Sequence, residues 1–157
     1  MSNSTYTSTT FPRRVSSGFW PEGHVQGIAI DEAGGYIYFS FTTILLKTDL
    51  AGNPVGSVCN IVGHLGCITF DPDRRRVYGS LELKHDAIGK GILEMEKSTR
   101  TLQNGFYIAI FDVERITRVG MDAEKDDIMT TVYLPTVLED YLAEVVSEEG
   151  KQKHRLG

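Results

Sequence analysis

The sequence has few of the features that mark disulfide-rich, membrane-spanning or exported proteins. Its two cysteines, Cys59 and Cys67, are too few for a disulfide framework, and Cys67 in the apolar segment GCITF is expected to be buried. No apolar run approaches the ~18 residues that a membrane-spanning helix needs. The amino terminus has no apolar core of the kind found in secretory signals. These absences favour a cytoplasmic protein that does not contact a membrane.

An excess of basic residues is also missing. The chain has 157 residues, of which 21 are acidic and 16 are basic, and its net charge is -5. Nucleic-acid-binding proteins carry a clustered basic face, so this balance argues against a nucleic-acid partner. The length fits a single domain, and an apolar fraction of 41% indicates a folded core.

Catalytic signatures are missing as well. The sequence has no nucleophile elbow, no H-E-x-x-H, no dinucleotide-binding fingerprint and no cysteine pair at zinc-binding spacing. Function therefore has to be inferred from architecture and from individual polar residues.

A run of four predicted strands occupies residues 23–62. Each segment is apolar, aromatic or β-branched, as suits a pleated sheet, and each is separated from the next by a short turn. The predicted strands are residues 26–30, 36–42, 44–49 and 55–62.

The same pattern begins again forty residues later. Six pairs of identical residues share this offset, which is the period typical of a β-propeller blade. The pairs are Gly23 and Gly63, His24 and His64, Ile28 and Ile68, Asp31 and Asp71, Tyr38 and Tyr78, and Ser40 and Ser80. The sequence thus predicts an all-β fold with two four-stranded antiparallel sheets arranged as propeller blades.

The second blade is predicted over residues 63–120, with an insertion at 82–105. Residues 106–112 are expected to match the third strand of the first blade, and residues 114–120 to form the outer strand. The segment 128–134 reads as an extra strand. A short helix with Thr136 as its N-cap is expected to follow, because apolar residues recur at helical spacing up to residue 146.

The two ends of the chain add two expectations. Residues 1–19 are polar and are expected to be a flexible lead before a partial propeller at 20–157. His154 and Gly157 repeat the spacing of His24 and Gly27, so residues 153–157 resemble the opening of a third blade. Because a closed propeller needs about four to eight blades, the sequence indicates either a fragment of a longer propeller or a chain that covers its exposed blade faces by self-association.

The blade segments resemble those of the NHL, YVTN and SMP-30/gluconolactonase-like propellers. The matching segments are GIAID at 27–31, GYIY at 35–38 and KTDLAG at 47–52. The Gly-His openings are more distantly similar to WD40 blades. The resemblance covers roughly residues 20–120 and implies a fold rather than an activity.

The recurring histidines are the first candidate site. In a propeller the first strand of each blade lies nearest the axis, so His24, His64 and His154 are candidate ligand-binding residues and candidate ligands for a divalent metal. The alternative is structural: each histidine would bond within its own blade, to Ser40 or Asp49 in the first and to Ser80 or Asp112 in the second. No cofactor is certain on either reading.

The insertion is the second candidate site, because long insertions in compact folds often carry function. His85 and Asp86 are weak candidates for acid–base catalysis. Glu82, Lys84 and Lys90 are candidate ligand-binding residues beside them. A solvated surface loop is an equally acceptable interpretation.

Two functions remain open. The first is a scaffold that binds a small molecule or a protein. The second is a propeller hydrolase or lyase, lactonase-like, with a metal or substrate site at the channel axis. For this second function the resemblance implies a ligand set of Glu, Asn and Asp, and no such residues fall in a matching motif here.

Overall fold

A computed structural model describes residues 14–21, 23–84 and 103–147 of the chain, with side chains up to residue 143. The described part consists of β-strands and one helix, which confirms the expectation of a mostly β protein with a short helix. The elements in chain order are β1 (Gly27–Asp31), β2 (Tyr36–Ser40), β3 (Leu45–Asp49), β4 (Pro54–Cys59), β5 (His64–Asp71), β6 (Arg76–Leu83), β7 (Gly105–Asp112), β8 (Met121–Asp122), β9 (Met129–Tyr133) and α1 (Pro135–Ser147).

The strands form two sheets. The first sheet has the order β1-β2-β3-β4-β8, and the second has the order β5-β6-β7-β9. All neighbours pair antiparallel except β8, which pairs parallel to β4. Short turns join β1 to β2, β2 to β3, β3 to β4 and β5 to β6.

The first two strands of each sheet pair in the same register at an offset of forty residues. Ile28 lies opposite Phe39 in the first sheet, and Ile68 lies opposite Gly79 in the second. Gly23 and Gly63, which precede the two first strands, have φ angles of 109° and 117°. Both values lie in a region that glycine adopts without strain. Ile28 and Ile68 thus occupy equivalent strands.

The sheets face each other across one hydrophobic core. Gly27 in β1 has room for no side chain, because a Cβ there would lie 2.8 Å from the backbone nitrogen of Ile68 in β5. The Tyr38 ring stacks on Phe70 with centroids 5.7 Å apart. The Ser40 hydroxyl donates to the carbonyl of Gly66 at 2.6 Å. The first strands of the two sheets are therefore in direct contact.

The outer edge of the second sheet differs from the expectation. Residues 114–120, predicted as the outer strand, form turns, and β9 is the fourth strand instead. Ile116 is buried against Gly56 of β4, whose missing side chain leaves the space for it. The Ser57 amide donates to the carbonyl of Arg118 at 3.1 Å. This segment therefore packs on the first sheet and delivers β8 to its edge.

Smaller boundaries also differ. β6 extends to Leu83, so Glu82 belongs to a strand rather than to the insertion. β4 ends at Cys59, because Asn60 takes a left-handed conformation with φ of 58°. The helix begins at Pro135, so Thr136 is not its N-cap. Proline is common at the first helical position because it has no amide hydrogen that would be left unpaired there.

The outer face of the first sheet carries a second hydrophobic cluster. It includes Phe41 and Leu46, and Val15 and Trp20 pack against it. The Trp20 ring lies 6.0 Å from that of Phe41. Val15, which falls in the segment expected to be a flexible lead, thus contacts the sheet.

Candidate functional site

Four of the candidate residues lie at one end of the two sheets, where β1 and β5 begin; we call it the amino end. His24 precedes β1 and His64 opens β5, while Glu82 and Lys84 lie where β6 ends. β6 ends and β7 begins at this end of the second sheet, so residues 85–102 connect them in the sequence. The candidates His85, Asp86 and Lys90 belong to that connection and lie outside the described residues.

The second sheet brings three candidates together. His64 lies opposite Glu82 in the strand register, and Glu82 forms an ion pair with Lys84. The Nε2 atom of His64 is buried and has no hydrogen-bond partner in the part of the chain that the structure describes. The hydroxyl oxygen of Thr43 is likewise buried without a hydrogen-bond partner among the described residues. Its loop adjoins β5, since the Leu65 amide donates to the carbonyl of Thr42 at 2.9 Å. The amino end therefore holds two buried polar atoms that lack partners.

His24 is placed differently. Its ring is exposed, and its Nε2 atom lies 3.3 Å from the side-chain nitrogen of Gln26. The serines and aspartates that were expected to bond the histidines have other partners among the described residues. Ser40 donates to Gly66 and Gly27, and Asp49 accepts hydrogen bonds from its own turn.

In the second sheet, too, the serine and the aspartate expected to bond His64 have other partners. Ser80 donates to the carbonyl of Cys67, and Asp112 forms an ion pair with Arg76 at 3.0 Å. The hydrogen-bonding scheme expected from the WD40-like openings is therefore wrong for both serines and both aspartates.

The metal hypothesis gains no support from the described residues. Within residues 14–21, 23–84 and 103–147, no group of three or more histidine, cysteine, aspartate or glutamate side chains is placed to hold a metal ion. His154 lies outside those ranges, so a site that includes it stays a prediction.

The sequence reasoning missed a polar cluster buried between the sheets. Asp31, which is 1% exposed, forms an ion pair with Arg75 of the second sheet at 2.7 Å. The Arg75 guanidinium also lies 5.2 Å from the Phe70 ring. Arg75 has a left-handed conformation, with φ of 54°, and its side chain reaches the first sheet.

Lys47 and two tyrosines, Tyr36 and Tyr38, complete this cluster. The Lys47 ammonium donates to the carbonyls of Val113 at 3.0 Å and Ile116 at 3.4 Å, and it lies 4.3 Å from the centre of the Tyr36 ring. Burial, and secondarily the charge of Arg75, lower the pKa of Lys47. Burial, and secondarily the Asp31 carboxylate, raise the pKa of the Tyr38 hydroxyl.

These contacts point to a structural role for the cluster. The Asp31 carboxylate and the Arg75 guanidinium form an ion pair between the sheets, and the Lys47 ammonium donates to carbonyls of the segment that follows β7. The Tyr38 hydroxyl is buried and has no hydrogen-bond partner among the described residues. One sequence signal was available: Lys47 is a lysine in an apolar strand, at the position that Ile110 occupies in the second sheet. A buried lysine needs carbonyl or acidic partners, which indicates a polar contact within the core.

Cys67 is also placed differently from the expectation. It is exposed, because alternation along β5 points it away from the first sheet. Cys59 is half-buried, and its thiol contacts the carbonyl of Met121.

Comparisons with known proteins add no family to this picture. No protein-family model, no curated protein and no solved structure matches the chain. Of the helical segments that the structure describes, none has the length and apolar character needed to cross a bilayer.

Proposed function

We propose that the protein is a binding scaffold built from β-propeller blades, and that its ligand, a small molecule or a protein, contacts the amino end of the two sheets. The propeller assignment is supported by the forty-residue correspondence of strand registers and by the direct contact of β1 with β5. In propellers the first strand of each blade lies nearest the axis, so the amino end would be one rim of the channel.

The observation that carries the ligand site is the buried Nε2 atom of His64, which has no hydrogen-bond partner among the described residues. His64 lies opposite Glu82 of the Glu82–Lys84 ion pair. A buried polar atom left without a hydrogen bond costs about 1–3 kcal/mol. A ligand that supplied the missing partner would recover this free energy. The unpartnered Thr43 hydroxyl, in the adjoining loop, supports the same location.

Binding is favoured over catalysis for a reason of charge. Glu82 and Lys84 neutralise each other, which leaves neither group poised as a general acid or base. In the described ranges no metal-binding group supports the lactonase-like alternative.

A thermal-shift screen of small molecules and peptides tests this proposal. It would be run in parallel on the wild type, His64→Ala, Lys84→Ala and, as a control at the opposite end of the sheets, Arg74→Ala. A ligand at about a hundred times its dissociation constant should raise the melting temperature of the wild type and the control by about 5 °C or more. The two amino-end variants should lose most of this shift. Equal shifts in His64→Ala and the wild type would contradict the proposed site.

A further inference from the structure

The loop that carries Thr43 and the segment that carries His64 lie against each other at the amino end. The Leu65 amide donates to the carbonyl of Thr42 at 2.9 Å, and the Ile61 amide donates to the carbonyl of Thr43 at 3.3 Å. These two hydrogen bonds hold the loop against the chain on both sides of His64. The two buried atoms without described partners, Thr43 Oγ1 and His64 Nε2, therefore belong to one local contact.

The depth of Thr43 limits the size of the ligand group that can meet it. Thr43 is 0% exposed, and Ile44 beside it and Ile61, which bonds to it, are buried apolar residues. A bulky group would have to displace several core side chains, which is costly because protein interiors are closely packed. The ligand group that meets Thr43 is therefore small.

The charges at the amino end select an uncharged group. Glu82 lies opposite His64 in the strand register and forms an ion pair with Lys84, so these two charges sum to zero. An anion bound at His64 would lie beside the Glu82 carboxylate, and a cation would have to displace Lys84 from it. Burying a charge that has no partner costs far more than burying a neutral polar group. A neutral ligand avoids both penalties.

Among small neutral groups, a hydroxyl matches the two atoms. The Thr43 hydroxyl can donate or accept a hydrogen bond, and the Nε2 atom of an imidazole ring does one or the other according to the tautomer. A ligand hydroxyl can also donate and accept, so it fits either arrangement, whereas an ether oxygen can only accept. The N–H and C=O of a trans peptide group point in opposite directions, so one peptide group cannot meet both atoms from the same side.

We propose that the amino end binds a small uncharged molecule through a hydroxyl group, which hydrogen-bonds to Thr43 Oγ1 and His64 Nε2. This inference rests on the proposed function, because it names the chemical class of ligand for the same site. It selects a small molecule over a protein, and a neutral group over a charged one.

Probes that share a short hydrocarbon chain and differ in one functional group test the proposal on the full chain. They are n-butanol, methyl propyl ether, butyrate and butylammonium, and binding is followed through the amide NMR signals of residues 42–44 and 61–65. We expect n-butanol to shift these signals and to bind about tenfold or more tightly than each of the others. The ether leaves one buried atom unpaired, and the two ions bring a charge without a partner.

A matched pair of substitutions tests the role of Thr43. Thr43→Val keeps the shape of the side chain and removes the hydroxyl, so n-butanol should bind about tenfold more weakly. Without ligand, this variant should be at least as stable as the wild type, because it loses a buried hydroxyl that has no described partner. The control is Thr48→Val at the opposite end of the sheets, where the hydroxyl donates to the carbonyl of Ile37 at 3.3 Å. The control should have a lower melting temperature and unchanged n-butanol binding.

The proposal and the proposed site can fail separately. Signals that n-butanol does not shift, or equal binding to the wild type and Thr43→Val, would overturn the hydroxyl contact. Equal or tighter binding of the ether or of either ion would overturn the ligand class. A Thr43→Val protein less stable than the wild type would show that the hydroxyl already has a partner, which also overturns the proposal. The proposed site itself would still stand if a screened ligand without a hydroxyl lost its thermal shift in His64→Ala.

Discussion

The two sheets share three strand pairings at corresponding positions but complete their outer edges differently. In the first sheet β3 turns into β4 within four residues, and the Asp49 carboxylate accepts hydrogen bonds from the amides of Ala51 and Asn53 at 2.9 Å. In the second sheet residues 113–128 separate β7 from β9. This longer connection crosses to the first sheet, where the Ala123 amide donates to the carbonyl of Cys59 at 3.0 Å.

The difference shows how two similar sheets become one unit. The inner strands β1 and β5 meet face to face, and the segment 113–128 joins the outer edges. Its buried residues Val113 and Ile116 belong to the core shared by both sheets.

The largest effect is expected at the ion pair between the sheets. Arg75→Ala would leave the buried Asp31 carboxylate without its charged partner, so it should lower the free energy of unfolding by about 3 kcal/mol. The control is Arg74→Ala in the same turn. Its side chain is 73% exposed and pairs only within the turn with Asp71, so we expect no measurable change.

Urea unfolding followed by the fluorescence of the single tryptophan would measure both variants. If the two substitutions proved equally mild, Arg75 would be a surface residue and the sheets would lack this link.

The next effect concerns the closest approach of the sheets. A Cβ at Gly27 would lie 2.8 Å from Ile68 N and 3.0 Å from the Cα of Cys67, both backbone atoms that cannot move freely. Gly27→Ala should therefore cost about 2 kcal/mol. Cys67→Ala, at the corresponding position of the second sheet, should change stability by less than about 0.5 kcal/mol because its side chain is exposed. A harmless Gly27→Ala, measured by the same urea titration, would mean that β1 and β5 are farther apart.

Sequence patterns predicted the first four strands of the first sheet and the first three of the second within a few residues. They did not predict β8, which makes the first sheet five-stranded and partly parallel. Alternating apolar and β-branched residues, with turns between them, fix strands such as β2 and β6 locally. The fourth strand of the second sheet was misplaced, because the blade pattern puts an outer strand directly after the third strand and so suggested residues 114–120. The segment MTTVY of β9 has the stronger strand composition, while Ile116 is apolar because it packs against Gly56.

The candidate site was predictable only in part. The recurring Gly-His pairs drew attention to His64, and its neighbours Glu82 and Lys84 were named for their charge. The Asp31–Arg75 pair could not be derived, because Asp31 ends β1 in the first sheet and Arg75 lies in the turn before β6 in the second. Contacts of this kind depend on how the sheets are placed, which strand periodicity does not specify.

A smaller effect is expected where the amino-terminal segment covers the first sheet. Trp20→Ala removes a half-buried ring from Phe41 and should lower the free energy of unfolding by about 1–2 kcal/mol. The neighbouring Phe19 is 93% exposed, so Phe19→Ala should be silent. Because Trp20 is the fluorescent reporter, circular dichroism would follow this pair. Equal stability of the two variants would show that the segment does not cover the sheet.

The smallest effect concerns the outer edge that joins the sheets. Partial burial opposes ionisation of Asp122, but hydrogen bonds from the Lys125 amide, the Asn60 side chain and the Glu124 amide outweigh it and lower its pKa from 3.8 to about 2. Since the pKa in the fold lies below the ordinary value, the carboxylate stabilises the folded state above about pH 4. That contribution is lost as the pH falls toward 2.

Asp122→Asn should accordingly be less stable than the wild type at neutral pH, by on the order of 1 kcal/mol. The difference should shrink between pH 4 and pH 2, as urea titrations at several pH values would reveal. A difference that stayed constant over this range would exclude the Asp122 carboxylate as its source.

The central claim is that the two sheets pack with β1 directly on β5. Nuclear Overhauser contacts in the isotope-labelled protein test it without any substitution. The account predicts a strong contact between the Cα protons of Gly27 and the amide proton of Ile68, together with contacts between the rings of Tyr38 and Phe70. The absence of both, in spectra that show the strand pairings within each sheet, would contradict it.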